Sequence, residues 1–154
     1  MKIYLAGSCS KSERYFMTSI AEELREKGYE VYCPFELKIP NAWDYTQECW
    51  AKMVFDKDVA AIDECDCVVM ISDGRHSTAG TNWEQGYAYA KQKPIFVFQK
   101  SIDETSLMTY CGCRWFVNLT QHIGCSTYIA DFPYEKFIRT SWCGNTNKCE
   151  TILT

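Results

Sequence analysis

The chain has 154 residues, of which 47% are apolar, 23% charged and 15% aromatic, and its formal net charge is −4. This length corresponds to about one domain, and the composition excludes a mainly disordered or collagen-like chain. Without a basic stripe, binding to a nucleic-acid polymer is not expected, and a small-molecule partner fits better. The longest apolar runs, such as Ile3–Ala6 and Cys67–Ile71, are far shorter than the ~20 residues of a membrane span. No signal-peptide core is present, so we expect a soluble, cytoplasmic protein with no membrane partner.

The ten cysteines are many for a chain of this length. Their even number would permit a disulfide framework in a secreted protein. However, there is no export signal, and Cys33, Cys65 and Cys67 lie inside apolar segments. We therefore expect reduced, partly buried thiols. The cysteine and histidine spacings do not match a zinc site, so no metal and no cofactor is expected.

The chain begins with a predicted strand and helix. Lys2–Ala6 is a short apolar run, typical of a strand, and is followed by a Gly-Ser turn. Ser10 or Ser12 is expected to cap a helix that runs to about Lys27, because apolar residues then recur at helical spacing. Gly28 is expected to end this helix.

The same alternation of strand and helix follows. Glu30–Cys33 predicts a second strand, and Pro34–Asp44 predicts a loop. A helix is expected from about Thr46 to Glu64. Cys67–Ile71 is uninterrupted in its apolarity, as in a strand covered on both faces, and Ser72–Gly80 is a predicted loop.

Beyond this point the signals become shorter. A helix is predicted over about Asn82–Lys91 and a fourth strand over Pro94–Phe98. Ser106–Tyr110 suggests a short helix, Trp115–Leu119 a fifth strand, and Tyr134–Arg139 a last helical turn.

This alternation predicts an α/β fold in which helices cover both faces of a parallel sheet of about five strands. One domain is expected over residues 1–140, with a partly ordered tail at 141–154. Such sheets bind ligands beyond the carboxyl ends of their strands. The segments that reach this edge are Gly7–Arg14, Pro34–Asp44, Ser72–Glu84 and the stretch after Phe98.

Glu84 is the first candidate for chemistry. Thr81 and Glu84 have the spacing of a capping box, in which Thr81 caps a helix and Glu84 bonds back to its amide. The same position suits a reactive carboxylate, because a helix N-terminus favours the ionised form and Gly80 lets a ligand approach the backbone. Such a carboxylate could attack an electrophilic sugar carbon.

Asp58 and Tyr4 are the next candidates. Asp58 is in line with the apolar positions Val54 and Ile62 of its helix, where a carboxylate is costly unless it is paired or functional. It could also be a boundary residue bonded to a loop. Tyr4 lies near the carboxyl end of the first strand and could be either a core aromatic or a site residue.

Two turns offer possible ligand contacts. The turn after the first strand carries hydroxyl and basic side chains, and it either caps a helix or holds an anion such as phosphate. Its residues are Ser8, Ser10, Lys11, Ser12 and Arg14. Asp73 lies in the loop after the third strand, where a plain turn is the alternative.

Four segments of the chain carry a family resemblance. They are Asp58–Met70 (DVAAIDECDCVVM), Gly80–Ala88 (GTNWEQGYA), Lys93–Val97 (KPIFV) and the opening KIYLAG. Together they resemble the nucleoside 2-deoxyribosyltransferase family. The resemblance covers about residues 2–110 and is strongest over 50–98. It implies a flavodoxin-like three-layer sandwich.

The resemblance also implies a reaction. The family breaks N-glycosidic bonds with retention, through a covalent glycosyl-enzyme intermediate. It places the nucleophile at Glu84. Asp58 matches the helix carboxylate that contacts the sugar, and Tyr4 matches the strand tyrosine that donates a hydrogen bond to the nucleophile.

Two positions differ from the transferases. Thr78 stands where they carry an aspartate that helps to handle the base, and Ser106 stands where they carry an asparagine that reaches a neighbouring subunit's sugar. The related 2′-deoxynucleoside 5′-phosphate N-hydrolases and CMP hydrolases carry hydroxyl residues there and use them on the 5′-phosphate. Hydroxyls suit a phosphate, whereas a carboxylate would repel it.

The substrate contacts are completed by loop residues. Lys38 and Trp43 are expected to contact the base, by stacking in the case of Trp43, although Trp43 could equally be a core residue. Gly7, together with Ser8, Asp73 and Gly80, is expected to contact the substrate as well.

The sequence thus predicts a nucleoside 2′-deoxyribosyltransferase that passes the sugar through Glu84 to another free nucleobase. One alternative is a 5′-monophosphate N-glycosidase that passes the sugar to water. The other is a non-catalytic nucleotide-binding module on the same fold. The resemblance implies a homodimer or larger homo-oligomer, in which a neighbour supplies Ser106.

Overall fold

The structure is a computed structural model, and it describes residues 1–139. The predicted tail at 141–154 lies outside these residues. The strands are β1 (Lys2–Ala6), β2 (Glu30–Tyr32), β3 (Cys67–Ser72), β4 (Ile95–Gln99) and β5 (Trp115–Asn118). The α-helices are α1 (Arg14–Glu26), α2 (Gln47–Glu64), α3 (Ala79–Ala90), α4 (Leu107–Cys111), α5 (Cys125–Asp131) and α6 (Tyr134–Ile138).

All five strands form one parallel sheet in the order β2-β1-β3-β4-β5. This is the order of flavodoxin-like doubly wound folds, and it confirms the predicted fold class. The strand order reverses between β1 and β3, where neighbouring connections leave on opposite faces of the sheet. A crevice is therefore expected beyond the carboxyl ends of β1 and β3.

Alternate residues of each strand pack into two separate hydrophobic cores, one on each face of the sheet. Ile3 and Leu5 of β1 pack on the face that α1, α5 and α6 cover. Tyr4 and Ala6 point to the other face, where Ile62 of α2 packs. Because successive strand residues point to opposite faces, the period of β1 places Tyr4 under α2 and α3.

The starts of two helices differ from the prediction. Neither Ser10 nor Ser12 caps α1: their hydroxyls bond to each other at 3.0 Å, and the helix follows a turn in which the Glu13 N–H donates to the Ser10 carbonyl. Helix α3 begins three residues earlier than predicted, because the Thr78 hydroxyl accepts a hydrogen bond from the Thr81 N–H. The capping box expected at Thr81 is therefore wrong.

No disulfide joins the cysteines within residues 1–139, and Cys33, Cys65, Cys67 and Cys113 are buried. Residues 1–139 contain no cluster of three or more His, Cys, Asp or Glu side chains that could hold a metal ion. Among the helices in the described part of the chain, none combines the length and apolarity needed to cross a membrane.

The core around α1 provides a test of the fold. Leu24 of α1 is fully buried, so Leu24→Ala leaves a cavity and should lower the free energy of unfolding by about 2–5 kcal/mol. Leu107→Ala is the matched control, because Leu107 is 79% exposed and should cost less than about 0.5 kcal/mol. Urea titration of both variants measures the difference, and equal losses would contradict the packing described here.

Candidate active site

The centre of the site is a bond between a strand and a helix. The Tyr4 hydroxyl donates to Glu84 Oε1 at 2.9 Å. Tyr4 is fully buried in β1, and Glu84 lies in the second turn of α3 because Thr78, not Thr81, caps that helix. Glu84 Oε2 is buried, and no described residue gives it a hydrogen bond. One oxygen of this carboxylate is thus held in place and the other is unsatisfied.

A second tyrosine–carboxylate pair lies beside the first. Tyr32 is opposite Tyr4 in the β1–β2 register, and the two rings stack with centroids 5.5 Å apart. The Tyr32 hydroxyl donates to Asp58 Oδ1 at 2.8 Å. The structure therefore brings together Tyr4, Asp58 and Glu84, three residues that the sequence singles out, and adds Tyr32.

The carboxylates of this site are difficult to ionise. Burial raises the pKa of Glu84 to about 7, the Tyr4 hydrogen bond lowers it in part, and the Asp58 charge raises it further. Burial also raises the pKa of Asp58, while the hydrogen bond from Tyr32 lowers it. The expectation that a helix N-terminus favours the ionised form of Glu84 is therefore wrong. The helix dipole acts mainly within the first turn, and Glu84 lies in the second turn of α3.

The two carboxylates border a groove between α2 and α3 with a volume of about 370 Å³. Aromatic side chains form much of its wall: Trp50 and Phe55 come from α2 and Trp83 from α3. Phe55 and Trp83 contact each other with centroids 5.2 Å apart. A flat apolar ring could stack on such a wall, with its attached sugar near Glu84.

A second, smaller cavity of about 180 Å³ lies at the carboxyl ends of β1 and β3. Its wall is rich in hydroxyl groups, from Ser8, Ser10, Ser12, Ser77, Thr78 and Thr81. Lys100 also lines it, but its ammonium group is 2.6 Å from Glu13 Oε2 and 3.7 Å from Asp73 Oδ2. The charge of this lysine is therefore largely balanced within the protein.

Some predicted contact residues border these cavities. Gly80 lines the aromatic groove, and a Cβ there would meet nothing within 4 Å, so a ligand can approach its backbone. Asp73, Ser8 and Thr78 line the hydroxyl-rich cavity. The Thr78 hydroxyl also caps α3.

Other predicted residues lie apart from the two carboxylates. Ser106 caps α4 and borders a different cavity, next to Gln85 and Met108. Lys38 and Trp43 do not line the groove, and Trp43 is 84% exposed, so their contact with a base stays a prediction.

Gly7 serves packing in this structure. A Cβ at this position would lie 2.5 Å from the Met17 side chain, so the glycine lets α1 approach the end of β1. Its contact with a substrate stays a prediction.

Sequence reasoning missed Tyr32 and the aromatic wall. The spacing of Trp50, Val54 and Asp58 at every fourth position could have revealed the wall, because such residues share one helix face. Tyr32 could be found only from the strand register. Cys9 was also missed: the charges of Glu84 and Asp58 add to burial in raising the pKa of its thiol.

Comparisons with known proteins match this chain to one family. The sequence profile of the nucleoside 2-deoxyribosyltransferase family matches residues 3–137. The chain belongs to this family. No curated protein sequence matches it.

Solved structures of similar fold include enzymes. The 2-deoxyribosyltransferase of Bacillus psychrosaccharolyticus is 24% identical with a TM-score of 0.74, over 89% of this chain and 96% of that one. The CMP N-glycosidase of Clostridium botulinum is 21% identical with a TM-score of 0.56, over 76% of this chain and 87% of that one. A conserved protein from Enterococcus faecalis V583 is 25% identical with a TM-score of 0.54, over 66% of this chain and 65% of that one.

Membership of the nucleoside 2-deoxyribosyltransferase family supports activity on N-glycosidic bonds in general. The reaction class of the family is N-glycosyl transfer, and the family acts on small-molecule nucleosides and nucleobases. The two carboxylates and the aromatic groove are consistent with this class.

The raised pKa of Glu84 predicts a pH-dependent stability. Folding raises this pKa from an ordinary value of 4.5 to about 7. The native state therefore binds the proton more tightly, and stability is lost as pH rises through 7. Glu84→Gln, which mimics the protonated acid, should raise the free energy of unfolding by about 3 kcal/mol at pH 8 and change it little at pH 4. Urea titrations at the two pH values test this, and an equal effect at both would contradict it.

Proposed function

We propose that this protein is a nucleoside 2′-deoxyribosyltransferase in which Glu84 is the nucleophile. The observation that carries the proposal is the state of the Glu84 carboxylate, with Oε1 held by Tyr4 and Oε2 buried without a hydrogen bond. A carboxylate with only a structural role is normally paired when it is buried. Strongly perturbed carboxylates in a cleft are candidates for catalysis.

The reaction proceeds in two displacements. The Glu84 carboxylate attacks C1′ of the sugar, and the electron pair of the N-glycosidic bond leaves with the base, which takes a proton from water. An N–H nitrogen of a second base then attacks C1′ and gives its proton to water, and the bond between sugar and carboxylate breaks, which restores the Glu84 carboxylate. Each displacement inverts C1′, so the overall reaction retains its configuration.

The surrounding residues have separate roles. Tyr4 orients the nucleophile by its hydrogen bond. Asp58 borders the same groove, and its role in this proposal is to bind the sugar. Trp50, Phe55 and Trp83 form the wall of the groove on which the base stacks.

A 5′-monophosphate substrate is the second candidate, favoured by the hydroxyl-rich cavity and by Lys100. Hydroxyl groups and an ammonium group bind phosphate well. The carboxylates of Glu13 and Asp73, however, already balance the lysine, and they would repel a phosphate dianion. We therefore place the uncharged nucleoside first. The 2-deoxyribosyltransferase and CMP N-glycosidase neighbours represent the two chemistries.

The nucleophile is tested with purine and pyrimidine 2′-deoxynucleosides, each incubated with and without a second free base. We expect exchange of the base, measured by chromatography. Glu84→Gln should lower the rate of exchange by at least about 10³-fold, because the covalent route is then closed. A nucleoside that carries fluorine at C2′ of the sugar should leave that sugar bound to the peptide that contains Glu84, and mass spectrometry detects this adduct. The control is Glu22→Gln, an exposed glutamate of α1.

The outcomes separate the alternatives. Release of base without exchange supports a hydrolase, and saturable binding without turnover supports a binding module. Activity that survives in Glu84→Gln contradicts the mechanism.

The phosphate hypothesis makes its own prediction. If the hydroxyl-rich cavity holds a 5′-phosphate, Lys100→Met should lower kcat/KM for 2′-deoxynucleoside 5′-monophosphates by about tenfold and leave nucleosides unchanged, because one charge-assisted contact is lost. Lys52→Met is the control, since Lys52 is an exposed residue of α2. Two results together would exclude 5′-monophosphates as substrates. The wild-type kcat/KM would be higher for nucleosides, and Lys100→Met would not selectively lower kcat/KM for the monophosphates.

A further inference from the structure

Tyr32 is a polar residue on an edge strand, with an unusual pair of contacts. Its hydroxyl donates to Asp58 Oδ1 at 2.8 Å, and its ring stacks on Tyr4 at 5.5 Å with an angle of 18° between the planes. Tyr4 in turn holds Glu84. Tyr32 therefore contacts both Asp58 and Tyr4, the residue that holds Glu84, although Tyr32 itself does not line the groove.

The Asp58 carboxylate depends on this contact. Among residues 1–139, no other hydrogen bond to Asp58 is present, and its helix α2 offers no cation to it. Asp58 is nevertheless half-buried, where an unpaired carboxylate is costly. Removing the Tyr32 hydroxyl would leave this carboxylate free to turn, and its orientation toward the groove would no longer be fixed.

We propose that Tyr32 is a positioning residue for the reaction proposed above: its hydroxyl fixes the Asp58 carboxylate, and its ring fixes the Tyr4 ring that orients Glu84. This inference rests on the proposed function for its catalytic consequence. Its geometric part stands on the two contacts alone. Tyr32 takes no part in bond making, because it reaches the reacting groups only through Asp58 and Tyr4.

The titratable groups around this pair come from several elements. Tyr4 of β1, Glu84 of α3 and Cys9 of the β1–α1 loop lie close enough to Asp58 for its charge to add to the burial that raises their pKa values. Burial raises the pKa of Tyr32, and the hydrogen bond and charge of Asp58 raise it further, followed by the charges of Glu84 and of Cys33, which follows β2. Deleting the Tyr32 hydroxyl removes a hydrogen bond that lowers the pKa of Asp58, so Asp58 should titrate at a higher pH in Tyr32→Phe.

Two variants of Tyr32 separate its two contacts. Tyr32→Phe keeps the ring that stacks on Tyr4 and loses the hydrogen bond. It should lower kcat by about tenfold, the loss expected for a hydrogen bond to a charged group, with KM changed by less than about twofold. Tyr32→Leu loses both contacts and should lower kcat further. Thermal unfolding of each variant shows whether the fold is intact.

Carboxyl ¹³C NMR provides a readout that does not depend on activity. With labelled aspartate and glutamate, the Asp58 resonance, assigned with Asp58→Asn, should titrate at a higher pH in Tyr32→Phe than in the wild type. The Glu84 resonance should move in Tyr32→Leu. A purely structural role for Tyr32 would lower stability without shifting these titrations.

Tyr87→Phe is the matched control. The Tyr87 hydroxyl also donates to an aspartate of α2, Asp63, at 3.0 Å, but this pair lies outside the groove. We expect Tyr87→Phe to retain the wild-type kcat and the wild-type Asp58 titration.

Each result decides between the two proposals. An Asp58 titration that is unchanged in Tyr32→Phe overturns the positioning role, whether or not the protein is active. If the wild type is active and Tyr32→Phe retains its kcat, the positioning role fails and the proposed function stands. If the wild type cleaves no nucleoside or nucleotide, the proposed function fails, and the positioning role in catalysis fails with it.

Discussion

The hydrogen bond from Tyr4 to Glu84 is the constraint around which the site is organised. It joins the inner strand β1 to helix α3 and holds one carboxylate oxygen at 2.9 Å while the other stays unsatisfied. Because Tyr4 is fully buried, its hydroxyl has a fixed position. The carboxylate that it holds is therefore preorganised before any substrate arrives, and preorganised charge is a large source of catalytic stabilisation.

This arrangement costs stability. Burial raises the pKa of Glu84 to about 7 and that of Asp58 above its ordinary value, so both carboxylates destabilise the folded state when they ionise. The Tyr4 and Tyr32 hydroxyls offset this cost only in part. Natural proteins retain such strained groups mainly at functional sites, where a more stable residue would remove the chemistry.

The parallel sheet explains why the pairs lie side by side. Tyr4 and Tyr32 are opposite each other in neighbouring strands, so their rings stack and their hydroxyls leave the sheet on the same face. Helices α2 and α3 cover that face and bring Asp58 and Glu84 to the two hydroxyls. Shifting β2 by one residue would turn Tyr32 to the opposite face and break the second pair.

Much of this followed from local sequence. Apolar runs and helical spacing predicted the alternating strands and helices, and residue motifs singled out Glu84, Asp58 and Tyr4. These features depend on neighbours within about one turn or one strand. The start of α3 was predicted wrongly because Thr78 and Thr81 are both good caps, and only the packed helix selects one. The role of Tyr32, the aromatic groove and the raised pKa of Glu84 were decided by the tertiary structure, since strand register and burial arise from residues far apart in the chain.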